Sequence, residues 1–531
     1  MSRPRSVWHV SREYAGVAEA GGVKDVVRGL AEASARAGIP TTVVLPLYGF
    51  LSGARAPGKP FPGESVASFS LSICDHDRDR AFFDEPVQVR RFVLEGVRLL
   101  MVETPRYAAL RDVYTYTAQD EQENHYRKRG TGHWDVHQLN VILQRAALET
   151  MLALSEAVDV VHCHDGHTAF LPALLAEDPR YRPALERTRC VVTVHNAGKG
   201  YHQEIWDPAF ASLLTGLSPD VIRRGILGDA ADPLVLAGSY ARMVTVSERY
   251  AEELLAPSGE ALSGGLGSAL LQHGARLSGI TNGIDPEPWD PRVPRRAGLP
   301  AGFDPGSGDL EGKATCRTEL ARRLGVSEEP GVRAPLYAFV GRLTGQKGID
   351  ILFHAMSQLL AAGGGQWFVV LGTGQQEMEA MLSWLAAQRP AKGRLTFLPR
   401  FDPALASLVY AASDFFLVPS AYEPCGLTDF IAQIMGSIPV VHRVGGLVKI
   451  RDGETGFSYE RQEPADLAAA VERTSGLFAR EPETLDRIRR TAFAEIWSRH
   501  TWEHVLADSY LPLYESLAQG AGGGHPGAGQ S

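Results

Sequence analysis

The segment Val7–Leu45 has the sequence VWHVSREYAGVAEAGGVKDVVRGLAEASARAGIPTTVVL, and its pattern predicts the fold class. Its two ends, Val7–Val10 and Thr41–Leu45, are short apolar runs rich in β-branched residues, which is typical of buried parallel strands. Between them, apolar residues recur at helical spacing over Val23–Ala37, and Gly38 is a helix stop signal. A strand, a glycine-containing turn, a helix and a second strand form a βαβ unit, so the sequence predicts an α/β fold.

The same alternation continues along most of the chain. Val158–His162 and Val191–Val194 are further predicted strands, and Val87–Glu103 holds two strand-like runs that meet at Glu95-Gly96, which predicts a hairpin. The second half has predicted strands at Tyr337–Val340, Trp367–Leu371, Leu395–Leu398, Phe415–Val418 and Pro439–Val441. Repeated βαβ units indicate doubly wound sheets, and we therefore expect two Rossmann-like domains.

Breaks in this alternation give the expected domain boundaries. We expect an N-terminal domain over residues 1–279, a C-terminal domain over residues 280–500 and a helix over residues 501–518. Residues 519–531 are rich in glycine and predicted to be a flexible tail, because they have little to bury. Pro294–Gly312 is rich in Gly and Pro and is predicted to be a surface loop.

Composition restricts the class of protein. Apolar residues make up 44% and charged residues 22% of the 531, a balance typical of globular proteins. The formal net charge of −9 argues against a nucleic-acid partner, whose phosphates need a basic surface. No apolar run is long enough to span a bilayer, and the N-terminus lacks the apolar segment of a signal peptide, so no membrane partner is expected. The five cysteines show no CxxC spacing, which favours a reducing compartment, and we expect a cytoplasmic protein.

Candidate ligand-binding residues follow three predicted strands of the first half. Gly21-Gly22 lies between the first strand and the first helix, where adjacent glycines let backbone N–H groups approach an anionic ligand. Asp165 follows one strand and His195-Asn196 follows another, and doubly wound folds bind ligands at the carboxyl ends of their strands. Two of these candidates have a structural alternative: a tight turn for the glycines and a hydrogen-bonded core histidine for His195.

The histidines around Asp165 raise the question of a metal site. Three of them, with one cysteine, lie within His162–His167, and these are zinc-ligand residue types. Strand alternation sends His162 and His164 to one face and Cys163 to the other, which disfavours a shared ion. We therefore expect no metal and no cofactor.

The second half supplies positive charge on a glycine-rich loop. Phe339–Gly348 leaves a predicted strand and carries Arg342 and Lys347, which suit a diphosphate, Arg through its planar fork and Lys as a point charge. Gly372-Thr373 follows the next strand and would let a nucleotide approach the backbone. Glu423 follows a third strand, three residues before a glycine that can open a helix toward a phosphate. The alternative is that Arg342 and Lys347 are solvated side chains of an exposed loop and bind no ligand.

Taken in order, these motifs resemble those of the bacterial glycogen synthases and plant starch synthases. The similarity extends from about Val7 to Leu517, and it is most specific in the run Glu-Pro-Cys-Gly-Leu-Thr, followed by the Gln-Lys-Gly loop. The matching segments are His164–His167, Thr193–Asn196, Asn282–Pro286, Gly341–Gly348, Leu371–Gly374, Tyr422–Thr428, Gly445–Leu447 and Thr455–Phe457.

The resemblance implies the GT-B fold. In that fold two Rossmann-like, doubly wound α/β domains face each other across a cleft, and the last helix crosses back to the N-terminal domain. The nucleotide sugar would bind mostly to the C-terminal domain, and the N-terminal domain would be the acceptor side.

The resemblance also implies a role for each matching residue. Arg342 and Lys347 would hold the donor diphosphate and stabilise it as the leaving group, and Glu423 would hydrogen-bond the donor glucose. His195 would lie beside the reacting sugar, and Asp165 would line the opposite side. Other implied substrate contacts, with Phe401 stacked on the adenine, are Gly21, Gly22, Asn196, Gly372, Thr373, Phe401, Cys425, Gly426, Leu427 and Thr428.

The implied reaction transfers glucose from ADP-glucose to the non-reducing end of an α-1,4-glucan with retention. It passes through an oxocarbenium-like state without a metal or a covalent intermediate, so positive charge at the diphosphate and preorganised dipoles carry the catalysis. A paired-carboxylate hydrolase would need a second acid flanking the bond, and no partner of Glu423 stands at a matching position.

Two departures from the family and two alternatives remain. Glu19 stands where the family usually has a lysine, and Gly166 replaces the usual tryptophan between Asp165 and His167. The first alternative is another retaining GT-B enzyme with a different sugar nucleotide or acceptor. Many of those have a second glutamate eight positions after the first, where this chain has Ile431. The second alternative is a catalytically idle glucan-binding protein.

Overall fold

The computed structural model describes residues 3–54, 63–75, 80–198, 200–326 and 334–520. The chain divides into two compact units. The first contains the residues up to Gly283 together with those from Trp502 onward, and the second contains Ile284–Thr501. Residues 521–531 of the predicted flexible tail lie outside the described residues.

Within the described residues, the first unit is built on a nine-stranded sheet and a two-stranded ribbon. In chain order the strands are β1 (Val7–Val10), β2 (Thr41–Pro46), β3 (Glu64–Asp75), β4 (Ala81–Leu94), β5 (Val97–Glu103), β6 (Val160–His164), β7 (Arg189–Val194), β8 (Ile226–Leu227), β9 (Ala230–Ala231), β10 (Arg242–Thr245) and β11 (Leu277–Gly279). The sheet has the order β11-β10-β7-β6-β1-β2-β5-β4-β3, and β8 pairs with β9.

The order of this sheet reverses next to β1. β2 pairs with β1 on one side and β6 pairs with it on the other, both in parallel. A doubly wound sheet opens a crevice at such a switch point, just beyond the carboxyl ends of the strands. The loops that follow β1 and β6 therefore lie where this fold binds ligands.

Helices of 4 to 19 residues lie between the strands of the first unit. They are α1 (Val23–Arg36), α2 (Pro105–Ala108), α3 (Ala118–Glu123), α4 (Val136–Leu154), α5 (Leu171–Glu177), α6 (Pro208–Thr215), α7 (Pro219–Arg223), α8 (Pro233–Ala237), α9 (Glu248–Leu255), α10 (Glu260–Ser263) and α11 (Leu266–Gln272). The βαβ unit predicted from Val7–Leu45 is confirmed, with α1 between β1 and β2 and its apolar side buried.

The predicted hairpin over Val87–Glu103 is confirmed but is part of a larger element. Glu95 and Gly96 both have positive φ, at 49° and 79°, and make the turn between β4 and β5. β4 begins earlier than predicted, and β3 pairs with it along its outer edge. β3 was not predicted, because its first half is largely exposed and polar rather than apolar.

The second unit has a six-stranded parallel sheet among its described residues. Its strands are β12 (Leu336–Val340), β13 (Trp367–Leu371), β14 (Leu395–Leu398), β15 (Phe415–Val418), β16 (Ile438–His442) and β17 (Phe457–Tyr459). The order β14-β13-β12-β15-β16-β17 places the switch point between β12 and β15.

Alternate residues of these strands enter two hydrophobic clusters. Tyr337 and Phe415 belong to one cluster, while Ala338 and Phe416 belong to the other. A sheet covered on both faces buries every residue of its central strands, which is why they read as continuous apolar runs. The helices of this unit are α12 (Pro294–Ala297), α13 (Glu311–Leu324), α14 (Ile349–Ala361), α15 (Gln376–Ala387), α16 (Pro403–Ala412), α17 (Thr428–Ile434), α18 (Pro464–Arg480) and α19 (Pro482–Glu495).

The prediction of a surface loop at Pro294–Gly312 is wrong in part. α12 begins this segment, and α13 has already begun at Glu311. Leu299 and Phe303 are buried in a hydrophobic cluster of the second unit. The glycines and prolines shape the path of the segment, but its apolar side chains contribute to the core.

Another prediction is displaced in register. The strand expected at Val158–His162 is β6, which begins and ends two residues later. His164 is therefore in the strand, and Asp165 is the first residue after it.

The last described segment of the chain belongs to the first unit. α20 (Trp502–Val505) and α21 (Leu511–Gly520) are joined by a π-helical turn, so the helical prediction for Thr501–Leu517 is largely confirmed. Trp502 and Tyr514 pack with Leu30 of α1 in one hydrophobic cluster. A Cβ at Gly29 would lie 2.0 Å from Nε1 of Trp502, so α1 approaches this segment closely because position 29 has no side chain.

None of the helices in the described part of the chain combines the length and the apolar character needed to cross a membrane.

Candidate active site

In the first unit, a buried carboxylate organises the loop after β1. Glu13 is 1% exposed, and its Oε2 accepts hydrogen bonds from the N–H groups of Ala20 (3.1 Å) and Gly21 (2.6 Å). Its Oε1 accepts a hydrogen bond from the hydroxyl of Tyr114 at 2.7 Å. The N–H of Gly21 therefore already has a partner within the protein. Gly22 is exposed at the start of α1, and no atom lies within 4 Å of the position of a Cβ there. Glu13 was not predicted as a site residue, because the partners of its carboxylate lie seven or more residues away in the chain.

Glu19 has a local partner in the same loop. Its Oε1 accepts the N–H of Gly16 at 2.6 Å, three residues earlier. This hydrogen bond closes the turn that leads into the two glycines. The carboxylate of Glu19, which stands where the family usually has a lysine, is therefore hydrogen-bonded within its own loop.

Asp165 is buried and has a strained backbone. Its φ of +59° is rare for a residue with a side chain, and such strain concentrates at functional sites. Its Oδ1 accepts the N–H of His195 at 2.7 Å, which joins the ends of β6 and β7. Burial, helped by the charge of Glu13, raises the pKa of Asp165 to about 7, although backbone N–H groups of His195 and Asn196 act to lower it.

His195 ends a chain of hydrogen-bonded imidazoles. Its Nε2 lies 3.0 Å from Nδ1 of His164, and Nε2 of His164 lies 3.1 Å from Nδ1 of His9. Burial lowers the pKa of His195 and of His9 to about 3, so both rings are neutral at physiological pH. His9 was not predicted as a site residue, because it lies inside the apolar run of β1.

His9, His162 and His164 have ring nitrogens within 4.8 Å of one another, so this trio could hold a metal ion. His162, however, contacts Tyr514 through Nδ1 (2.7 Å) and Thr193 through Nε2 (2.6 Å). The rings of His162 and His164 are stacked at 4.5 Å rather than pointed at one centre. The arrangement is better described as a hydrogen-bonded core than as a set of ligands, and His167 lies outside the trio.

In the second unit, the loops after β12 and β15 meet at the switch point. Nζ of Lys347 lies 2.6 Å from Oε2 of Glu423, and the hydroxyl of Ser420 donates to the same oxygen at 2.8 Å. Burial alone would raise the pKa of Glu423, but the charge and hydrogen bond of Lys347 and the hydroxyl of Ser420 outweigh it and hold the pKa below its usual value. Glu423 is therefore a buried carboxylate at neutral pH.

Three glycines allow these loops to pack closely. A Cβ at Gly348 would lie 1.8 Å from the carbonyl oxygen of Pro419, and one at Gly372 would lie 1.9 Å from that of Gly341. A Cβ at Gly374 would lie 2.2 Å from the carbonyl oxygen of Leu343. The loops after β12, β13 and β15 therefore pack directly against one another, because these three positions have no side chain.

The other predicted residues of this unit differ in exposure. Arg342 is exposed and makes no ion pair within the described ranges. Phe401 is 87% exposed, Thr373 is exposed and Cys425 is buried. Gly426 has φ of +77°, and Leu427 and Thr428 lead into α17. In the first unit, Asn196 uses its Oδ1 to accept the N–H of Gly198 at 2.8 Å.

Lys449 was not predicted as a site residue, but it contacts the turn that follows Glu423. Its Nζ lies 2.5 Å from the carbonyl oxygen of Cys425 and 2.8 Å from that of Gly426, and it forms an ion pair with Asp429 at 3.1 Å. An isolated lysine carries no recognisable pattern, so only the structure reveals this contact.

Comparisons with known proteins agree with this architecture. Residues 6–268 match the family described as starch synthase catalytic domain, and residues 334–475 match glycosyl transferases group 1. A glycogen synthase of Streptococcus equi subsp. zooepidemicus is 32% identical over 526 residues, covering 96% of this chain and 99% of that protein. A glycogen synthase of Aeromonas hydrophila is 30% identical over 533 residues, covering 97% of this chain and 99% of that protein.

A solved structure gives the same result for the fold. The catalytic domain of starch synthase IV from Arabidopsis thaliana, bound to ADP and acarbose, has a TM-score of 0.77 at 27% identity. The match covers 98% of this chain and 99% of that one. The chain therefore belongs to the glycogen and starch synthase family of GT-B glycosyltransferases.

Proposed function

We propose that the protein transfers glucose from ADP-glucose to the non-reducing end of an α-1,4-glucan, with retention at the anomeric carbon. The observation that carries this proposal is the ion pair of Lys347 and Glu423 at the switch point of the second sheet. A cation suited to a diphosphate and a carboxylate suited to sugar hydroxyls lie 2.6 Å apart.

Arg342 and Lys347 bind the donor diphosphate and stabilise it as the leaving group. Negative charge grows on the diphosphate while the glycosidic bond breaks, so fixed cations lower the energy of the transition state more than that of the bound donor. Lys347 is held in place by Glu423, and Arg342 is exposed and available.

Glu423 accepts hydrogen bonds from hydroxyls of the transferred glucose. A carboxylate whose pKa is held below its usual range is a poor proton donor at neutral pH, so a general-acid role is disfavoured. Its two oxygens retain acceptor capacity beyond the bonds from Lys347 and Ser420.

We assign His195 to contact with a sugar hydroxyl and Asp165 to the positioning of His195. A neutral imidazole can hydrogen-bond a hydroxyl without adding positive charge beside an oxocarbenium-like carbon. Asp165 is the positioning residue, because its carboxyl oxygen holds the backbone N–H of His195.

The preference for adenine rests on Phe401. A phenyl ring that is 87% exposed offers a stacking surface for a flat base. The similar starch synthase IV structure is bound to ADP, which supports the same nucleotide here. We therefore expect ADP-glucose to be preferred over UDP-glucose.

The decisive experiment incubates purified protein with a panel of nucleotide-glucoses and glycogen and measures glucose incorporation. The highest kcat/KM is expected with ADP-glucose. A clearly higher value with UDP-glucose would contradict the nucleotide assignment but not the reaction. Glycogen binding without incorporation from any donor would instead identify a catalytically idle glucan-binding protein.

Activity is expected to be independent of divalent metals. The cations of Arg342 and Lys347 supply charge stabilisation that a metal ion would otherwise provide. Dialysis against a chelator should leave the rate of transfer unchanged. Loss of activity that zinc restores would instead assign a metal to His9, His162 and His164.

A further inference from the structure

Lys449 binds the turn that precedes α17 from the protein side. Its side chain is 9% exposed, and its ammonium lies 4.2 Å above the ring of Phe430. The two short contacts to the carbonyl oxygens of Cys425 and Gly426 use two of its three N–H donors. One lysine thus holds two successive peptide groups.

This contact determines the direction of the backbone N–H groups. In a trans peptide the C=O and the next N–H point in opposite directions. With the carbonyls of Cys425 and Gly426 turned toward Lys449, the N–H groups of Gly426 and Leu427 point away from it. Gly426 has φ of +77° and Leu427 has φ of −117° and ψ of −26°, a left-handed residue followed by a right-handed one. Successive N–H groups in such a pair form a concave site for an anion.

Asp429 keeps the charge of Lys449 balanced inside the protein. It is fully buried, and burial raises its pKa while Lys449 acts to lower it. A buried ammonium next to two carbonyl groups and one carboxylate has its charge compensated locally. The segment of Lys449 is also tied to the active site, because the N–H of Gly446 donates to the carbonyl oxygen of Glu423 at 2.9 Å.

We infer that Lys449, with Asp429, is a positioning residue that preorganises the N–H groups of Gly426 and Leu427 to bind the diphosphate of the sugar nucleotide. This inference rests on the proposed function, in which Glu423, three residues before Gly426, binds the glucose of the donor. Without the ammonium, the two carbonyl oxygens lose the cation that holds them, and a carbonyl oxygen that turns toward the phosphate repels it. Lys449 therefore acts on the donor through the backbone and not by contact.

The test compares Lys449→Met, Lys449→Arg and the double variant K449M/D429N with wild type. Lys449→Met keeps the length of the stem and removes the donors, and the double variant avoids leaving Asp429 unpaired if the single variant does not fold. The matched control is Lys392→Met, an exposed lysine of the same unit. Calorimetry measures the dissociation constants of ADP and UDP, and kinetics gives kcat and the KM for donor and for glycogen.

Lys449→Met and the double variant are expected to bind ADP about tenfold more weakly and to lose about 10²-fold in kcat, the lower end of the range for a lost preorganised donor. The KM for glycogen should not change, Lys449→Arg should recover most of the ADP affinity, and Lys392→Met should match wild type. A lower melting temperature with wild-type ADP affinity and kcat would overturn the inference, since it would show a purely structural role. Wild-type protein that binds neither ADP nor UDP would overturn the proposed function together with the inference.

Discussion

At the scale of single residues, the ion pair of Lys347 and Glu423 is the most informative contact of the second unit. It joins two loops that are 76 positions apart in the chain. Both partners are held before any donor arrives, so little reorganisation is needed during the reaction.

We expect Lys347→Ala, Arg342→Ala and Glu423→Gln each to lower kcat far more than they raise the donor KM. Removal of one preorganised electrostatic partner typically costs about 10²–10³ in turnover. Steady-state kinetics with ADP-glucose and glycogen, together with a thermal melt, measures the effect. Near-normal turnover in Lys347→Ala and Glu423→Gln with unchanged melts would mean that the active site lies elsewhere.

The raised pKa of Asp165 makes stability depend on pH. A carboxyl whose folded pKa is about 7 instead of 3.8 keeps its proton in the folded state while the unfolded chain releases it. Its contribution is therefore fully present below about pH 4 and is lost as pH rises through 7. Asp165→Asn keeps the oxygen that accepts the N–H of His195 but cannot ionise. The free energy of unfolding of this variant should therefore decrease less between pH 5 and 7.5 than that of wild type. Denaturant titrations across this range measure it, and equal pH slopes in both proteins would refute the assigned pKa.

Sequence alone could predict the residues that belong to recognisable motifs. Arg342, Lys347 and Glu423 stand at predicted strand ends, and the structure brings the last two together. Glu13 and Lys449 could not be predicted, because their role is to bind backbone groups of other segments. Such contacts depend on the path of the loops, which no local pattern of residue types encodes.

At the scale of elements, the loop between β12 and α14 depends on Gly348. Its φ is +67°, and the space of a Cβ is taken by the carbonyl oxygen of Pro419. This glycine lets the loop of Lys347 pack against the loop of Glu423, so both conformation and close approach are needed here.

Gly348→Ala is expected to destabilise the protein by about 1–3 kcal/mol, because it adds backbone strain and overpacking. It should also lower kcat by moving Lys347 away from Glu423. Gly345→Ala is the matched control, since nothing lies within 4 Å of a Cβ at that position of the same loop. Chemical denaturation and kinetics of both variants make the comparison, and equal effects at the two positions would contradict this account.

The strands were predictable where burial on both faces leaves a continuous apolar run, as in β12, β13, β15 and β16. β3 was missed, because it lies at an edge and is half exposed. α12 and the buried Leu299 and Phe303 were hidden among glycines and prolines. The glycines and prolines of such a segment predict that it contains turns. They do not predict which of its side chains are buried.

At the scale of the whole molecule, the chain leaves the first unit after Gly283 and returns to it at Trp502. Trp502 is 3% exposed and lies in the cluster that also contains Leu30 and Tyr510. The final helices are therefore part of the core of the first unit and not an appendage.

Trp502→Ala is expected to lower the free energy of unfolding of the first unit by about 3–5 kcal/mol, the usual cost of removing a large buried aromatic ring. Trp384→Ala is the control, because that tryptophan is 58% exposed. Hydrogen exchange, read peptide by peptide, should show lost protection in β1, β6 and α1 while the strands of the second unit keep theirs. Uniform loss in both units, or no loss in β1, would contradict this assignment.

The return of the chain at Trp502 also sets the order in which the units mature during synthesis. The second unit is continuous in sequence, so it can complete its core once residues up to Thr501 have left the ribosome. The first unit is begun earlier, but it waits for the last helices, with the apolar side chains of Val26, Leu30 and Val160 uncovered. The half that is translated first is thus the half that completes its core last, and its apolar surface stays exposed longest during synthesis.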